Sequence, residues 1–233
     1  MLDVVTDFYE KLGYSIELVG CGLDNFNRAK ARNKIFQDYD VDFAVILNAD
    51  TVVSENAIVR GIEFVKEKNL VVKPFTKIIT ITGMDETFTN KLVNNDIMDS
   101  YMSSGSSRML PQGGGWIMSR RTWDRVGKFN ETYEDSGFID LEYAFRASVM
   151  SKLYYLDYDA YTFDHGRPVP RYDVLDYCKR NKIMRQFFSQ EKKNVVIERY
   201  NGSQEVEDSY VSNLFDEKIF MMGHKLDNFI KDL

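Results

Sequence analysis

The sequence predicts an α/β fold in which a mostly parallel central sheet is flanked by helices and followed by a helical tail. Helical and short apolar segments alternate over the first 75 residues, which is typical of parallel strands joined by crossover helices. The apolar run Phe43–Leu47 is too short for a membrane span and has the length of a buried strand. With 233 residues and 44% hydrophobic content, the chain is long enough for a full core.

The elements before residue 70 follow from periodicity and capping residues. Helices are predicted over 2–12, 25–39 and 55–68. Gly13 ends the first of them, and Ser54 is a good N-cap for the third. A strand is predicted over 14–19. Because the chain opens on a helix where most α/β domains open on a strand, we expect a first strand to precede this sequence or to be absent from the fold.

The elements after residue 69 are shorter. Strands are predicted over 70–72, 77–82, 116–118, 153–165 and 195–200. Helices are predicted over 85–98, 120–126, 138–150, 172–190 and 214–233. The small, polar run 103–108 predicts a mobile loop. We expect one domain over 1–170, with a mainly helical extension over 171–233 packed on it.

Composition narrows the classes of partner. The net charge of −6 argues against a protein that grips a nucleic-acid backbone, which needs a basic face. The two cysteines are far apart and form neither a metal pattern nor a disulfide framework, which predicts a cytoplasmic protein. No apolar run has the length of a transmembrane segment. The aromatic content of 14% suits a core, and also a surface that stacks on sugar rings or bases.

A carboxylate at the end of the central strand is the first candidate site residue. The strand stops at Asn48-Ala49-Asp50, just before a crossover helix. In open α/β sheets, ligands bind at the carboxyl ends of the strands. The alternative is a simple turn, because Asn and Asp are common turn residues.

Three glycines at 113–115, followed by Trp116, form the second candidate. Glycines let a backbone approach a ligand closely, and Trp116 would then present a flat apolar face to it. The alternative is a flexible turn followed by a core tryptophan.

Asp140 and His165 are the other two candidates. Asp140 lies in the first turn of a predicted helix, where the dipole favours the ionised carboxylate that can accept a proton from a hydroxyl. Alternatively, Asp140 only stabilises that helix. His165 lies at the end of an aromatic strand, and with a strand-end Asp it would complete a site for Mn²⁺ or Mg²⁺. Its alternative is a structural histidine.

Together these residues resemble the nucleotide-sugar glycosyltransferases of the GT-A (Rossmann-like) fold, family-two-like with a galactosyltransferase-type C-terminal motif. Three motifs in the family's order, over residues 14–168, support the resemblance. They are Ala31-Arg32-Asn33, Asn48-Ala49-Asp50 in place of D-x-D, and a long run made of Gly114-Gly115-Trp116-Ile117-Met118-Ser119, Trp123, Val126-Gly127-Lys128-Phe129-Asn130-Glu131-Thr132-Tyr133, Ser136-Gly137-Phe138-Ile139-Asp140-Leu141-Glu142-Tyr143 and Arg146. The long run is the specific signal. The chain departs from the family at Asn48, at Ile139 in place of Glu, and at Glu142 in place of Asp.

The resemblance implies a metal-dependent hexosyltransferase-type enzyme that moves a sugar from a nucleoside-diphosphate sugar, a UDP-sugar being favoured, to a hydroxyl of a carbohydrate or another acceptor. Asp50 and His165 would bind Mn²⁺ or Mg²⁺. Asp140 would be the base of an inverting reaction. The residues implied at the donor are Arg32, Asn48, Asp50, Gly114, Gly115 and Trp116.

Three alternatives stay open. A nucleotidyltransferase would also bind nucleotide and metal at strand ends, although the chain lacks a glycine-rich phosphate loop near its start. A non-catalytic sugar or nucleotide-sugar binding module would explain Asn48 and Ile139 as signs of decay. A sugar transferase acting on a modified DNA base is the third, and the acidic balance argues against it. Retention of configuration is open as well.

Overall fold

The structure is a computed structural model that describes residues 2–19, 26–81, 107–109, 113–131, 139–163, 195–198 and 205–207. Its helices are α1 (Leu2–Lys11), α2 (Arg28–Asp38), α3 (Glu55–Lys68), α4 (Arg120–Val126) and α5 (Ile139–Met150). Its strands are β1 (Phe43–Leu47), β2 (Thr51–Val53), β3 (Val71–Lys73), β4 (Lys77–Ile81), β5 (Ser107–Met109), β6 (Gly115–Ser119), β7 (Leu153–Leu156), β8 (Asp159–Phe163), β9 (Val195–Glu198) and β10 (Glu205–Glu207).

The central sheet has the strand order β1-β6-β3-β7-β9-β10. Strand β6 pairs antiparallel with both β1 and β3, while β7 is parallel to β3 and to β9. The last strand, β10, is antiparallel to β9. The α/β fold is therefore confirmed, and the sheet is corrected from mostly parallel to mixed. Every residue of β6 is buried, so its apolar pattern is the same whichever way the strand runs.

A second sheet, ordered β2-β8-β4-β5, continues the first. Strands β1, β3 and β7 each leave the central sheet and enter this one, as β2, β4 and β8, after turns at 48–50, 74–76 and 157–158. Because β6 is antiparallel to both β1 and β3, those two strands share the direction of β7. The three turns therefore lie at one edge of the central sheet, its carboxyl edge, where α/β folds bind ligands.

Three predicted segments differ in the structure. The segment 14–19 is not a strand: Tyr14 and Ile16 pack on an apolar cluster, but the segment has no ladder partner among the described residues. The predicted strand 153–165 is divided into β7 and β8 by a turn in which Tyr158 N donates to Leu156 O at 2.8 Å. Part of the predicted loop 103–108 belongs to β5, which pairs antiparallel with β4. Pairing depends on partners distant in sequence, which local patterns do not reveal.

The other predicted elements within the described ranges are confirmed to within a few residues. Ser54 accepts a hydrogen bond from Ala57 N at 3.3 Å, so the predicted N-cap of α3 is present, and Ser119 caps α4 in the same way by accepting one from Thr122 N at 3.0 Å. Helix α1 is attached to β2 through Tyr9, whose hydroxyl accepts a hydrogen bond from Val53 N at 3.0 Å.

Several predictions fall outside the described residues. They are His165 and the helices over 85–98, 172–190 and 214–233. Within the predicted extension over 171–233, the described strands β9 and β10 add to the central sheet. None of the helices in the described ranges combines the length and apolar character that a bilayer span requires.

Candidate functional site

The candidate site lies at the carboxyl edge of the central sheet. Strands β1 and β3 end there, at Leu47 and Lys73, and β6 begins there at Gly115. The backbone of Asn48 closes this edge by donating a hydrogen bond to Gly114 O at 2.9 Å. The first turn of α5 brings Asp140 to the same place, as its contacts with α2 and β6 show.

The Asp140 carboxylate is the centre of the site. Its Oδ1 atom accepts hydrogen bonds from Arg32 Nη1 at 2.6 Å and from Trp116 Nε1 at 3.0 Å. Its Oδ2 atom lies 3.8 Å from Arg28 Nη1. The side chains of Arg32 and Asp140 are only 5% and 13% exposed. Two strong donors thus hold Oδ1, and Oδ2 has the greater remaining capacity to accept a proton.

The electrostatic surroundings keep Asp140 ionised. Burial by itself would raise the pKa of this carboxyl group, but the positive charges of Arg32, Lys73 and Arg28 outweigh burial and lower its pKa below the usual 3.8. Asp140 is therefore a carboxylate at neutral pH. A lowered pKa also makes it a weaker proton acceptor than a free carboxylate.

Arg32 joins two of the predicted motifs. Its second terminal nitrogen, Nη2, donates to Asn48 Oδ1 at 3.0 Å, and its guanidinium group lies 5.1 Å from the centre of the Phe129 ring. Arg32 is buried and engaged by the protein itself, whereas Lys30 on the same helix is exposed. In the structure Arg32 is therefore an internal partner of the site, bonded to Asp140 and to Asn48.

Trp116 does not present a flat face to a ligand, contrary to the expectation from sequence. Its side chain is fully buried. Tyr143 meets the indole ring edge-on at 5.2 Å between centroids, Phe129 does so at 6.0 Å, and Lys73 Nζ lies 3.9 Å from its centre. The predicted alternative, a core tryptophan, is correct, and its indole N–H is the part that reaches the site.

The buried glycines Gly114 and Gly115 permit close packing at the start of β6. Gly114 has φ +94°, and a Cβ atom there would lie 2.9 Å from Phe75 Cζ. A Cβ atom on Gly115 would lie 2.7 Å from Leu47 Cδ2. Close packing alone thus explains why both positions are glycine. Close approach to a donor, which the sequence suggested, is not needed to explain them.

Asp50 lies in the turn between β1 and β2. Thr51 Oγ1 donates to Asp50 Oδ1 at 3.1 Å, and Phe163 N donates to the Asp50 carbonyl oxygen at 3.2 Å. Phe163 ends β8, two positions before His165, which lies outside the described residues. The Asp50 carboxylate carries oxygen atoms of the kind that Mn²⁺ and Mg²⁺ accept as ligands. In the part of the chain that the structure describes, no three His, Cys, Asp or Glu side chains converge as a metal site.

Other residues of the predicted motifs have structural roles. Asn33 donates to Phe129 O at 2.9 Å and to Glu131 Oε1 at 2.8 Å, which fixes the segment after α4 against α2. Glu142 and Arg146 form an ion pair within α5, with two contacts of 2.8 Å. These contacts explain much of the motif's spacing without reference to a ligand.

Lys73 is the site residue that sequence reasoning missed. It ends β3, is fully buried, and donates a hydrogen bond from Nζ to Gly113 O at 2.9 Å. The signal was present in the sequence, because a lysine directly follows the apolar pair Val71 and Val72 and precedes Pro74. A charged residue at the end of a buried strand is a candidate for a role in a site.

A shallow depression of about 470 Å³ lies elsewhere. Its lining includes Phe43 and Ser119, which pair at the end of β1 and β6 opposite to Asn48 and Gly114. Arg120, also in its lining, is held by Phe36 O, Val41 O and Tyr39 O. This depression is therefore separate from the chemistry around Asp140.

Comparison of the chain with protein-family models and with curated proteins gave no match in either set. The structure itself defines an α/β protein with mixed sheets. The resemblance to glycosyltransferases thus depends on the sequence motifs and on how those motifs meet around Asp140.

Proposed function

We propose that this protein is a GT-A glycosyltransferase that moves a sugar from a nucleoside-diphosphate sugar, with a UDP-sugar favoured, to an acceptor hydroxyl. The single observation that supports this most strongly is the ionised, nearly buried Asp140 held by Arg32 and Trp116. Each of the three motifs contributes to this cluster: Arg32 from the first, Asn48 from the second, and Trp116 with Asp140 from the third.

In the proposed reaction Asp140 is the general base. Its Oδ2 atom takes the proton of the acceptor hydroxyl as the hydroxyl oxygen forms a bond to the anomeric carbon. The bond from that carbon to the diphosphate oxygen breaks at the same time, and its electron pair leaves with the nucleoside diphosphate. Attack from the opposite face inverts the configuration. Arg32 fixes Oδ1, so that Oδ2 is the oxygen offered to the acceptor.

A divalent cation belongs to the proposal. Asp50 and His165 would hold Mn²⁺ or Mg²⁺, and the cation would supply positive charge to neutralise the leaving nucleoside diphosphate. The support from the described residues is that Phe163, two positions before His165, is hydrogen bonded to the Asp50 backbone. The protein's own contribution is to present the Asp50 carboxylate at the turn after β1.

The second candidate is a non-catalytic nucleotide-sugar or carbohydrate-binding module. The specific observation that favours it is the ion pair between Arg32 and Asp140, at 2.6 Å, which makes Asp140 a weak base. The same carboxylate would then serve to hold α2 against α5. Only turnover separates the two candidates, because both would bind the same class of ligand.

The test combines binding with turnover. Thermal unfolding is measured with UDP, GDP, ADP and their sugars, each with and without Mn²⁺, and release of the free diphosphate is measured with simple glycosides as acceptors. A Mn²⁺-dependent shift for one series with acceptor-dependent release supports the glycosyltransferase. A shift without release for any acceptor favours the binding module, and no shift at all contradicts both.

A further inference from the structure

Lys73 has no role in the proposed reaction, yet its environment is unusual for a lysine. It is fully buried at the end of a central strand. Burial lowers its pKa well below the usual 10.5, and the negative charge of Asp140 opposes that effect. A buried charge is rarely the most stable choice, and apolar residues of similar volume often serve stability as well or better. The reason for this lysine is therefore to be sought in its contacts.

Those contacts reach two separate parts of the site. Nζ donates to Gly113 O at 2.9 Å, and the same atom lies 3.9 Å from the centre of the Trp116 ring. The first contact is a charge-assisted hydrogen bond, and the second is a cation–π contact with the best aromatic partner for it. One ammonium group thus fixes both the peptide that precedes β6 and the indole ring on β6.

Both of these groups adjoin the Asp140 carboxylate, at different oxygens. A Cβ atom built on Gly113 would lie 3.2 Å from Asp140 Oδ2, so any larger residue there would press on that oxygen. Trp116 Nε1 is bonded to Oδ1 at 3.0 Å. Lys73 therefore contacts two groups that border the Asp140 carboxylate, one at each oxygen.

We propose that Lys73 is a positioning residue of the candidate site, which holds the Gly113 peptide at Asp140 Oδ2 and the Trp116 indole at Asp140 Oδ1. It acts through these two groups and contacts no substrate. The effect of Lys73 on sugar transfer rests on the proposed function, because the orientation of Oδ2 matters for transfer only if Asp140 takes the proton of the acceptor hydroxyl. Its effect on the carboxylate does not depend on that function.

The charge of Lys73 provides a readout that a purely structural residue would lack. The charged groups that act on Asp140 are Arg28 and Arg32 from α2 and Lys73 from β3, and Trp116 on β6 adds a hydrogen bond. Removing Lys73 removes one of these charges, so the pKa of Asp140 should rise. The titration of Asp140 is followed at acidic pH, where the protonated form of Lys73 is favoured.

The experiment uses the full chain with Lys73→Met, Lys73→Gln and, as the matched control, Lys66→Met at an exposed position of α3. The Asp140 carboxyl signal is assigned by its loss in Asp140→Asn and is titrated by ¹³C NMR without ligand. Sugar transfer from the UDP-sugars of the functional test is measured across a range of pH. Lys73→Met should move the carboxyl titration and the acidic limb of the kcat profile to higher pH. It should also lower kcat roughly 10- to 100-fold, with little change in the donor KM.

The two Lys73 variants separate the charge from the hydrogen bond. Lys73→Gln keeps a donor for the Gly113 carbonyl without the charge, so it should shift the titration as Met does but reduce kcat less. Lys73→Gln also allows the titration to be measured if Lys73→Met does not fold. An unshifted titration in the folded variants, or lower thermal stability with an unchanged titration, overturns the proposal.

Failure of the proposed function would look different. If the unmodified chain transfers no sugar from any donor while the Asp140 titration still moves in Lys73→Met, the glycosyltransferase proposal fails and the positioning role stands. A shift of equal size in Lys66→Met would instead show that the effect is not specific to Lys73, and would overturn the positioning role.

Discussion

Arg32 Nη1 donates a hydrogen bond to Asp140 Oδ1 at 2.6 Å, although 108 positions separate the two residues in the chain. The same guanidinium group reaches Asn48 Oδ1 at 3.0 Å. One side chain on α2 therefore connects the end of β1 with the start of α5. Because Arg32 and Asp140 are 5% and 13% exposed, water screens their interaction weakly, and the pair should influence both stability and chemistry.

Replacing Asp140 by Asn should abolish transfer while leaving donor binding nearly intact. The amide cannot take the acceptor proton, and a general base of this kind contributes about 10²- to 10⁴-fold to rate. The measurements are kcat with the UDP-sugar panel and the thermal shift caused by the donor. Asp124→Asn, on the exposed face of α4, is the matched control and should behave as the unmodified chain. Loss of binding together with transfer would contradict the role of Asp140 as base.

Replacing Arg32 by Met should destabilise the fold by about 3 kcal/mol, because it leaves a nearly buried carboxylate without its shortest partner. Lys73 and Arg28 remain nearby, so the loss should lie at the low end for a broken buried pair. Urea unfolding at pH 7 measures it. Arg60→Met is the control, since its ion pair with Glu63 lies on the surface of α3. Equal midpoints for the two variants would show that the buried pair adds nothing.

The same pair should be visible in the pH dependence of stability. The pKa of Asp140 is depressed below its usual 3.8 in the folded protein, so its stabilising effect is fully present above pH 3.8 and is lost as the pH falls through the folded pKa. Unfolding free energies measured between pH 5 and pH 2 should fall less steeply in Arg32→Met than in the unmodified chain. Parallel slopes would mean that Arg32 does not set this pKa.

Replacing Asp50 or His165 by Ala should weaken binding of the donor in the presence of Mn²⁺ and leave the weaker metal-independent binding unchanged. The physical reason is that each substitution would remove a side chain proposed to hold the cation, and with it the positive charge that the cation would supply to the diphosphate. Isothermal titration with UDP, with and without Mn²⁺, measures both. Asp42→Asn, at the opposite end of β1, is the control. Unchanged Mn²⁺-dependent affinity would remove the substituted residue from the site.

Replacing Gly114 by Ala should destabilise the protein more than replacing Gly13. Both glycines have positive φ, but a Cβ atom on Gly114 would lie 2.9 Å from Phe75 Cζ, while one on Gly13 meets nothing within 4 Å. We expect about 1 kcal/mol for Gly13→Ala from backbone strain alone, and about 3 kcal/mol for Gly114→Ala. Urea midpoints compare them, and equal effects would show that the contact with Phe75 relaxes freely.

Local elements were predictable because their signals are local. Three of them depend only on neighbouring residues, and the structure has all three: the apolar run of β1, the cap at Ser54 and the helical run of α3. The position of Asp140 in the first turn of α5 was predictable for the same reason. The direction of β6 was not, because a strand buried on both faces shows the same apolar pattern in either direction.

The site itself was predicted only in part. Arg32, Asn48, Trp116 and Asp140 were all candidates, and the structure joins them by hydrogen bonds. The hydrogen bonds between these residues were not predictable, since a sequence pattern does not show which donor bonds to which acceptor. The sequence left Trp116 open between a ligand-facing surface and the core, whereas in the structure the ring is buried against Tyr143 and its N–H is bonded to Asp140.

By itself the sequence determined the α/β class, most helix and strand positions, and the residue types available for chemistry, because periodicity and capping act between neighbours. Only the tertiary structure decided the mixed sheet, the burial of Lys73 beside Trp116, and the pairing of Arg32 with Asp140. Those features depend on which distant segments pack together. Burial then fixes the strength of each charge, because the same carboxylate and guanidinium interact weakly in water and strongly where water is excluded.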